Sequence, residues 1–373
     1  MDDPKILVVN PGSTTTKVAL FFGDELQCGA SLPAAPLGSH TTLWDGFPTR
    51  LEGIREWLSM EGIEKAELSA VVGRGGLLRS VEGGTYPVTE AMLADARGNR
   101  QGIHASNLGC ALARALADGA GRERDSIYLE ESGRFSLSEG AVPAFVVDPV
   151  STDEFGELAR YSGLRDLPRR SLSHALNIHA LVLEVCRQEG RPVEGSRFIV
   201  AHLGGGISVC PVEGGRILDA NNANSGGPFS PTRAGGLPTQ ELIAFCLSGE
   251  RTLSELREST LKRGGLMSYL GTDDAREVER RIEGGDSEAK RVYEAMAYQI
   301  AKEIGAMATV LSGRVEKILL TGGLAASDLL TGWIRERVSF LASVEVWPEV
   351  EEMKALALGA HRVLKGEIQP KEY

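Results

Sequence analysis

Two short segments of glycine and small hydroxyl residues carry the most readable chemistry in this chain. The first is NPGSTTTK at 10–17 and the second is HLGGGIS at 202–208. Glycine tolerates backbone dihedrals that a Cβ forbids, and Ser and Thr add hydroxyl donors. A turn of this composition gathers backbone N–H groups into a concavity that suits an anion. Asn10, Ser13, Thr14 and Lys17 are the candidates to contact phosphate in the first segment, with Lys17 able to face it. In the second, His202 ends an apolar run, and Gly204, Gly205 and Gly206 expose bare backbone. Neither segment is a Walker A loop, and no G-x-G-x-x-G opens a helix. Taken singly, either is equally an ordinary turn. A third glycine signal is KILLTGGLAAS at 317–327. Gly322 and Gly323 there would let an adenosine lie flat against backbone beside a helix N-terminus, although a tight strand-to-helix turn reads the same way.

Arginines in structured loops form a second group. Arg74 sits in VVGRGG and Arg233 in SPTRAGG. A guanidinium can fork onto a carboxylate or a phosphoryl group. Phosphoryl transfer needs alignment and neutralisation of charge more than covalent help. Asp148 ends the run AFVVD and precedes Pro149. A carboxylate at a strand end in an α/β protein often faces the ligand crevice. Asp148 would orient an arginine, bind a hydrated Mg2+, or simply open a turn.

These residues need a frame. ILVV (6–9), KVALFF (17–22), AVV (70–72), AFVVD (144–148), FIVAHL (198–203), ISVCPV (207–212) and KILLTGG (317–323) read as strands. Segments near 49–62, 90–118, 173–189, 238–248, 286–312 and 351–366 read as helices. Such alternation predicts an α/β protein with largely buried sheets. ILVVNPGSTTTKVAL near the N-terminus resembles FIVAHLGGGISVCPV near 200, with Asn10 matching His202 and Gly12 matching Gly204. A pattern occurring twice suggests two similar domains.

The 373 residues suffice for two cores. A formal net charge of -11 argues against a nucleic-acid partner, which needs a basic face. The five cysteines form no C-x-x-C, so neither a disulfide framework nor a zinc knuckle is expected. The opening MDDPKILVVN lacks the positive charge of a signal peptide. No apolar run reaches the roughly 20 residues needed to span a bilayer, so the expectation is a cytoplasmic chain with no membrane partner.

The segments NPGSTTTK, GRGGLLRSVEGGTYPV (73–88), GIHASNLG (102–109), FVVDPVSTDEF (145–155), NSGGPFSPTRAGGLPT (224–239) and EEMKALALGAHRVLKGE resemble the acetate and butyrate kinase family, and its butyrate branch in particular. The resemblance implies a two-domain α/β fold of the actin-like ATPase (ribonuclease H-like) class with an interdomain cleft. It places the domains at 1–148 plus 352–373 and at 149–351. It also implies reversible transfer of the ATP γ-phosphoryl group, with Mg2+, to a short-chain fatty acid, giving an acyl phosphate and ADP. On this resemblance Arg74 and Arg233 hold the carboxylate and the transferring phosphoryl, and Glu352 joins Asp148 at the magnesium. His174 contacts the phosphoryl without being phosphorylated, His104 lies near the acyl site, and His202 touches the nucleotide phosphates. Asp274 and Arg276 flank adenosine, though by themselves they look like charges opening a helix. Ser173 stands where relatives usually have Phe, and Gly76 where acetate kinases carry a branched apolar residue. Both changes lead us to expect room for a longer acid. Gly205 replaces an Asn, so no side-chain contact is assigned there. Relatives assemble through the second domain, so a homodimer or larger homo-oligomer is expected. The alternatives are an acetate or propionate kinase, or a non-kinase actin-like ATPase.

Overall fold

A computed structural model describes residues 3–34, 42–118, 127–129, 135–137, 142–348 and 351–373. The chain divides into two compact units. Unit one is Met1–Thr152 with Glu351–Tyr373, and unit two is Asp153–Val350.

Unit one is built on strands β1 (Lys5–Pro11), β2 (Thr15–Phe22), β3 (Glu25–Pro33), β4 (Ala70–Arg74) and β5 (Thr85–Pro87). After a separate ribbon of β6 (Ile127–Leu129) and β7 (Phe135–Leu137), β8 (Ala144–Val147) completes its sheet. The order is β3-β2-β1-β4-β8-β5. β1, β2 and β3 form an antiparallel meander, and β4 and β8 join in parallel. Alternation in β1 sends Leu7 and Val9 into a core closed by α1 (Phe47–Met60), α2 (Glu90–Arg97) and α3 (Asn107–Asp118). Ile6 and Val8 are equally buried on the other face, where the C-terminal helix Glu352–Leu364 packs on β1, β4 and β8.

The single helix expected over 90–118 is two. Gly98 caps α2, and Asn99 with a left-handed φ of 50° and Gly102 with a φ of 128° do not continue a right-handed helix.

Unit two begins with α4 (Ala175–Gln188) and the strands β9 (Arg197–Leu203), β10 (Ile207–Glu213) and β11 (Arg216–Ile217). Five helices follow: α5 (Thr239–Leu247), α6 (Leu253–Leu261), α7 (Gly265–Leu270), α8 (Ala275–Glu283) and α9 (Ser287–Val310). Then come β12 (Lys317–Thr321), α10 (Asp328–Val338) and β13 (Ser343–Trp347). The sheet order is β11-β10-β9-β12-β13. Ile199, Ala201 and Leu203 pack against α9, while Phe198 and Val200 face α4.

The two sheets repeat one plan: a three-stranded meander, then two parallel strands added beside its first strand. Each meander turns its first corner over three residues, 12–14 and 204–206. Asn10 pairs across its hairpin with Lys17, and His202 across its own with Ser208. Asn10 and His202 therefore hold equivalent places.

Candidate active site

In unit one the site residues gather at the C-terminal ends of the parallel strands, where α/β sheets bind ligands. Arg74 ends β4 and Asp148 follows β8. Arg74 is 6% exposed. Its Nε pairs with Glu352 Oε1 at 2.9 Å, and its Nη1 donates to the Asp148 carbonyl at 2.8 Å. Glu352, the first residue of the C-terminal helix, also accepts from Asn10 Nδ2 at 2.8 Å. One carboxylate thus aims both the arginine and the last polar residue of β1. Among the described residues no acceptor engages Arg74 Nη2.

Asp148 does this work differently from the expectation. Its backbone carbonyl, not its carboxylate, orients Arg74, while Oδ1 accepts from Gly84 N at 2.7 Å. The residue has a φ of 38°, a conformation L side chains rarely adopt, and the Gly84 contacts hold it there.

Gly76 also departs from the expectation of an opened pocket. A Cβ there would fall 2.1 Å from Asn107 Oδ1 and 2.5 Å from its backbone nitrogen, so the space is already filled by the start of α3. The Asn107 amide uses that approach to accept from Leu77 N at 2.8 Å. His104, exposed in the loop before α3, accepts at Nδ1 from Ser106 N at 3.1 Å. Ser13, Thr14 and Lys17 stand exposed on the β1–β2 hairpin.

Unit two places His174, His202, Gly204, Gly206 and Arg233 together. His174 immediately precedes α4, and its Nδ1 shares a hydrogen bond with Ser208 Oγ at 2.9 Å. Its ring stacks on His202 with centroids 4.0 Å apart and planes tilted 17°. Arg233 lies across the hairpin tip. A Cβ on Gly206 would fall 2.2 Å from Arg233 Nη1, so only glycine admits the guanidinium there. Arg233 Nη1 donates to the Ala223 carbonyl at 3.0 Å. Ser230 Oγ accepts from Arg233 N at 3.1 Å and donates to the Gly205 carbonyl at 2.6 Å, tying the arginine loop to the hairpin. Burial pushes the Arg233 pKa down, and among the described residues no carboxylate pairs with it. A half-buried cation without a counter-ion is suited to an incoming anion.

Gly322 brings the third glycine signal to the same hairpin. Its φ is 88°, and a Cβ would meet the Leu203 carbonyl at 2.5 Å, whereas Gly323 faces open space. Ser173 is 7% exposed and its hydroxyl adjoins the buried Cys210 thiol, so it fills the core face of β10 instead of lining an open pocket. Asp274 caps α8 by accepting from Arg276 N at 2.9 Å, the helix-opening role that the charges alone suggested.

Sequence reasoning missed Arg50. It is 6% exposed beneath the first hairpin and donates to the carbonyls of Gly12 (2.9 Å) and Thr15 (3.2 Å) and to Thr16 Oγ1 (2.7 Å). The signal was available. Arg50, Ile54 and Trp57 form the buried face of α1, so an arginine stands in the apolar stripe.

No group of three or more His, Cys, Asp or Glu among the described residues forms a closed metal cage. Glu352 meets Arg74 through its carboxylate and Asp148 through its backbone carbonyl, which brings two carboxylate-bearing residues to one arginine. That donor set fits Mg2+, which keeps several waters and takes one or two carboxylates plus phosphate oxygens. The bare hairpin tips fit a polyphosphate.

With this geometry in place, likeness to known proteins becomes informative. Residues 172–344 match the acetokinase family. A protein named probable butyrate kinase 2 from Caldanaerobacter subterraneus subsp. tengcongensis is 47% identical over 371 residues, covering 99% of each chain. One named probable butyrate kinase from Listeria monocytogenes is 43% identical over the same length and coverage. The crystal structure of Porphyromonas gingivalis acetate kinase superposes with a TM-score of 0.74 at 18% identity, covering 95% of this chain and 98% of that one, which establishes the shared fold.

Proposed function

This chain belongs to the acetokinase family, and on that premise we propose that it phosphorylates a short-chain fatty acid of about butyrate size at the expense of ATP. The observation that carries this reading is a pair of guanidiniums, Arg74 and Arg233, each fixed beside one of two like glycine hairpins.

In the reaction a carboxylate oxygen attacks the γ-phosphorus, the bond to the ADP oxygen breaks, and charge spreads over the equatorial oxygens. Arg74, held by Glu352, presents Nη2 to the acid or to the phosphoryl group. Arg233 and His174 are assigned to the phosphoryl group and Gly204 and Gly206 to the phosphate chain, Gly206 also leaving room for the Arg233 guanidinium. Asn10, Ser13, Thr14 and Lys17 contribute from the first hairpin. Asp274, Arg276, Gly322 and Gly323 are assigned to adenosine, and His104 to the acyl end. Mg2+, held by Glu352 and Asp148, would neutralise phosphate charge. Both carboxylate and phosphoryl are anions, so two arginines suit the encounter better than one.

Assembly through unit two is part of the proposal, with a second copy as the partner. The segment TQELIAFCL of α5 has no buried residue although Ile243, Phe245 and Leu247 are apolar, and Leu253 and Tyr269 nearby in sequence are also exposed. Light scattering should give a dimer or larger species. Five cysteines outside any disulfide suit a reducing cytoplasm. Among the described residues no helix is long and apolar enough to cross a membrane.

The test is hydroxylamine trapping of acyl phosphate with ATP and straight-chain acids of two to six carbons. The expected rates peak near four carbons. ADP release at the same rate without any acid would sink the kinase reading. A peak at acetate would sink the chain-length assignment alone.

A further inference from the structure

Among the described residues Arg50 makes only neutral contacts. Its Nη2 donates to the Gly12 carbonyl at 2.9 Å and the Ser13 carbonyl at 3.4 Å, and its Nη1 to the Thr15 carbonyl and the Thr16 hydroxyl. Among the described residues no carboxylate pairs with it. A guanidinium stays protonated at any physiological pH. A buried charge without a partner is costly and is retained where something else compensates it.

The loop geometry shows what compensates. In a trans peptide the C=O of one residue and the N–H of the next point in opposite directions. Arg50 draws the Gly12 and Ser13 carbonyls inward, so the N–H groups of Ser13 and Thr14 must point outward. Among the described residues neither N–H donates a hydrogen bond, and both residues are exposed. The outer side of the hairpin thus carries two consecutive free N–H groups and the exposed Lys17, above a buried cation.

We infer that Arg50 is a positioning residue for phosphate: it turns the Ser13 and Thr14 N–H groups toward the ligand's phosphate oxygens and supplies the positive charge beneath them. The ligand class is a polyphosphate or phosphoryl group. In its enzymatic form the inference rests on the kinase reading above, but anion binding by the loop can be measured without it.

The experiment compares wild type with Arg50→Lys, Arg50→Met and Thr16→Val. Calorimetry with inorganic tripolyphosphate reads the loop alone, kinetics with ATP and butyrate read the enzyme, and thermal melts read the fold. Arg50→Lys keeps the charge but loses the fork, and it should weaken tripolyphosphate binding and raise the KM for ATP by about tenfold, with the KM for butyrate unchanged. Arg50→Met should do more. Thr16→Val removes one acceptor and should shift the same quantities a few-fold; it decides the matter if neither Arg50 variant folds. A structural role alone would lower the melting temperature and leave both nucleotide quantities within twofold of wild type, and that outcome overturns the inference. If wild type binds tripolyphosphate through Arg50 but transfers nothing to any carboxylate, the inference survives and the kinase reading falls.

Discussion

The β1–β2 and β9–β10 hairpins occupy the same place in two sheets of the same plan, yet each aims its arginine by different means. In unit one the guanidinium of Arg74 is tied ionically, by Glu352 from a helix distant in sequence. In unit two Arg233 has no ion pair among the described residues. It is held by the Ala223 carbonyl and by a glycine that leaves room for it. The strand frame fixes where each hairpin tip lies. What the neighbouring segments bring to that tip determines its chemistry.

Breaking either arginine should have the largest effect. Arg74→Ala and Arg233→Ala should each lower kcat for acyl phosphate formation by about 10³-fold or more, as loss of a phosphoryl-stabilising arginine does elsewhere. Stopped assays with trapped product measure this.

The hairpin tips should then respond unequally to one added methyl. Gly206→Ala puts a Cβ 2.2 Å from Arg233 Nη1, and should cost about 10²-fold in kcat by displacing the guanidinium. At Gly12 the nearest contact for a Cβ is the Thr15 carbonyl at 3.2 Å, so Gly12→Ala should cost less than about tenfold. Equal losses would mean that the two tips are used alike.

Glu352→Gln tests the ionic tether. It keeps the shape and removes the charge from the hydrogen bonds to Arg74 and Asn10. A charge-assisted bond is worth about 1.5–3 kcal/mol and Gln keeps a neutral one, so a loss at the low end, a roughly tenfold fall in kcat/KM, is expected. The effect should leave the Arg233 side untouched, as a nucleotide-binding titration without Mg2+ would show.

The smallest effect concerns stability. Arg79 hydrogen-bonded to Asp95 holds that carboxyl below its ordinary range, with Tyr373 adding to the effect and burial opposing it. Because the folded pKa is depressed, the stabilisation is present above the unfolded value near 4 and is lost as pH falls through the folded one. Asp95→Asn should lower stability at neutral pH by about 1–3 kcal/mol and flatten the acid limb of a pH–stability curve.

The sequence made the hairpins, the matching of Asn10 with His202 and the loop arginines readable because glycine, hydroxyl and apolar patterns are local. Glu352 acquired its partner only in the fold, since its contact with Asn10 spans almost the whole chain. Strand β3, mostly wet on the sheet edge, and β13, at the opposite kind of edge, lack the apolar runs that mark central strands. Gly76 and Ser173 misled for a related reason. A missing side chain announces space, but only the packing shows that Asn107 and the β10 core already fill it.

The central claim of the proposed function is that Arg74 and Arg233 both serve one phosphoryl transfer. A double-mutant cycle of Arg74→Ala and Arg233→Ala on kcat for acyl phosphate formation tests it most directly. Residues serving a single transition state are strongly non-additive, so the double variant should be little worse than the poorer single one. Free-energy losses that simply add, or a single variant with wild-type turnover, would contradict the account.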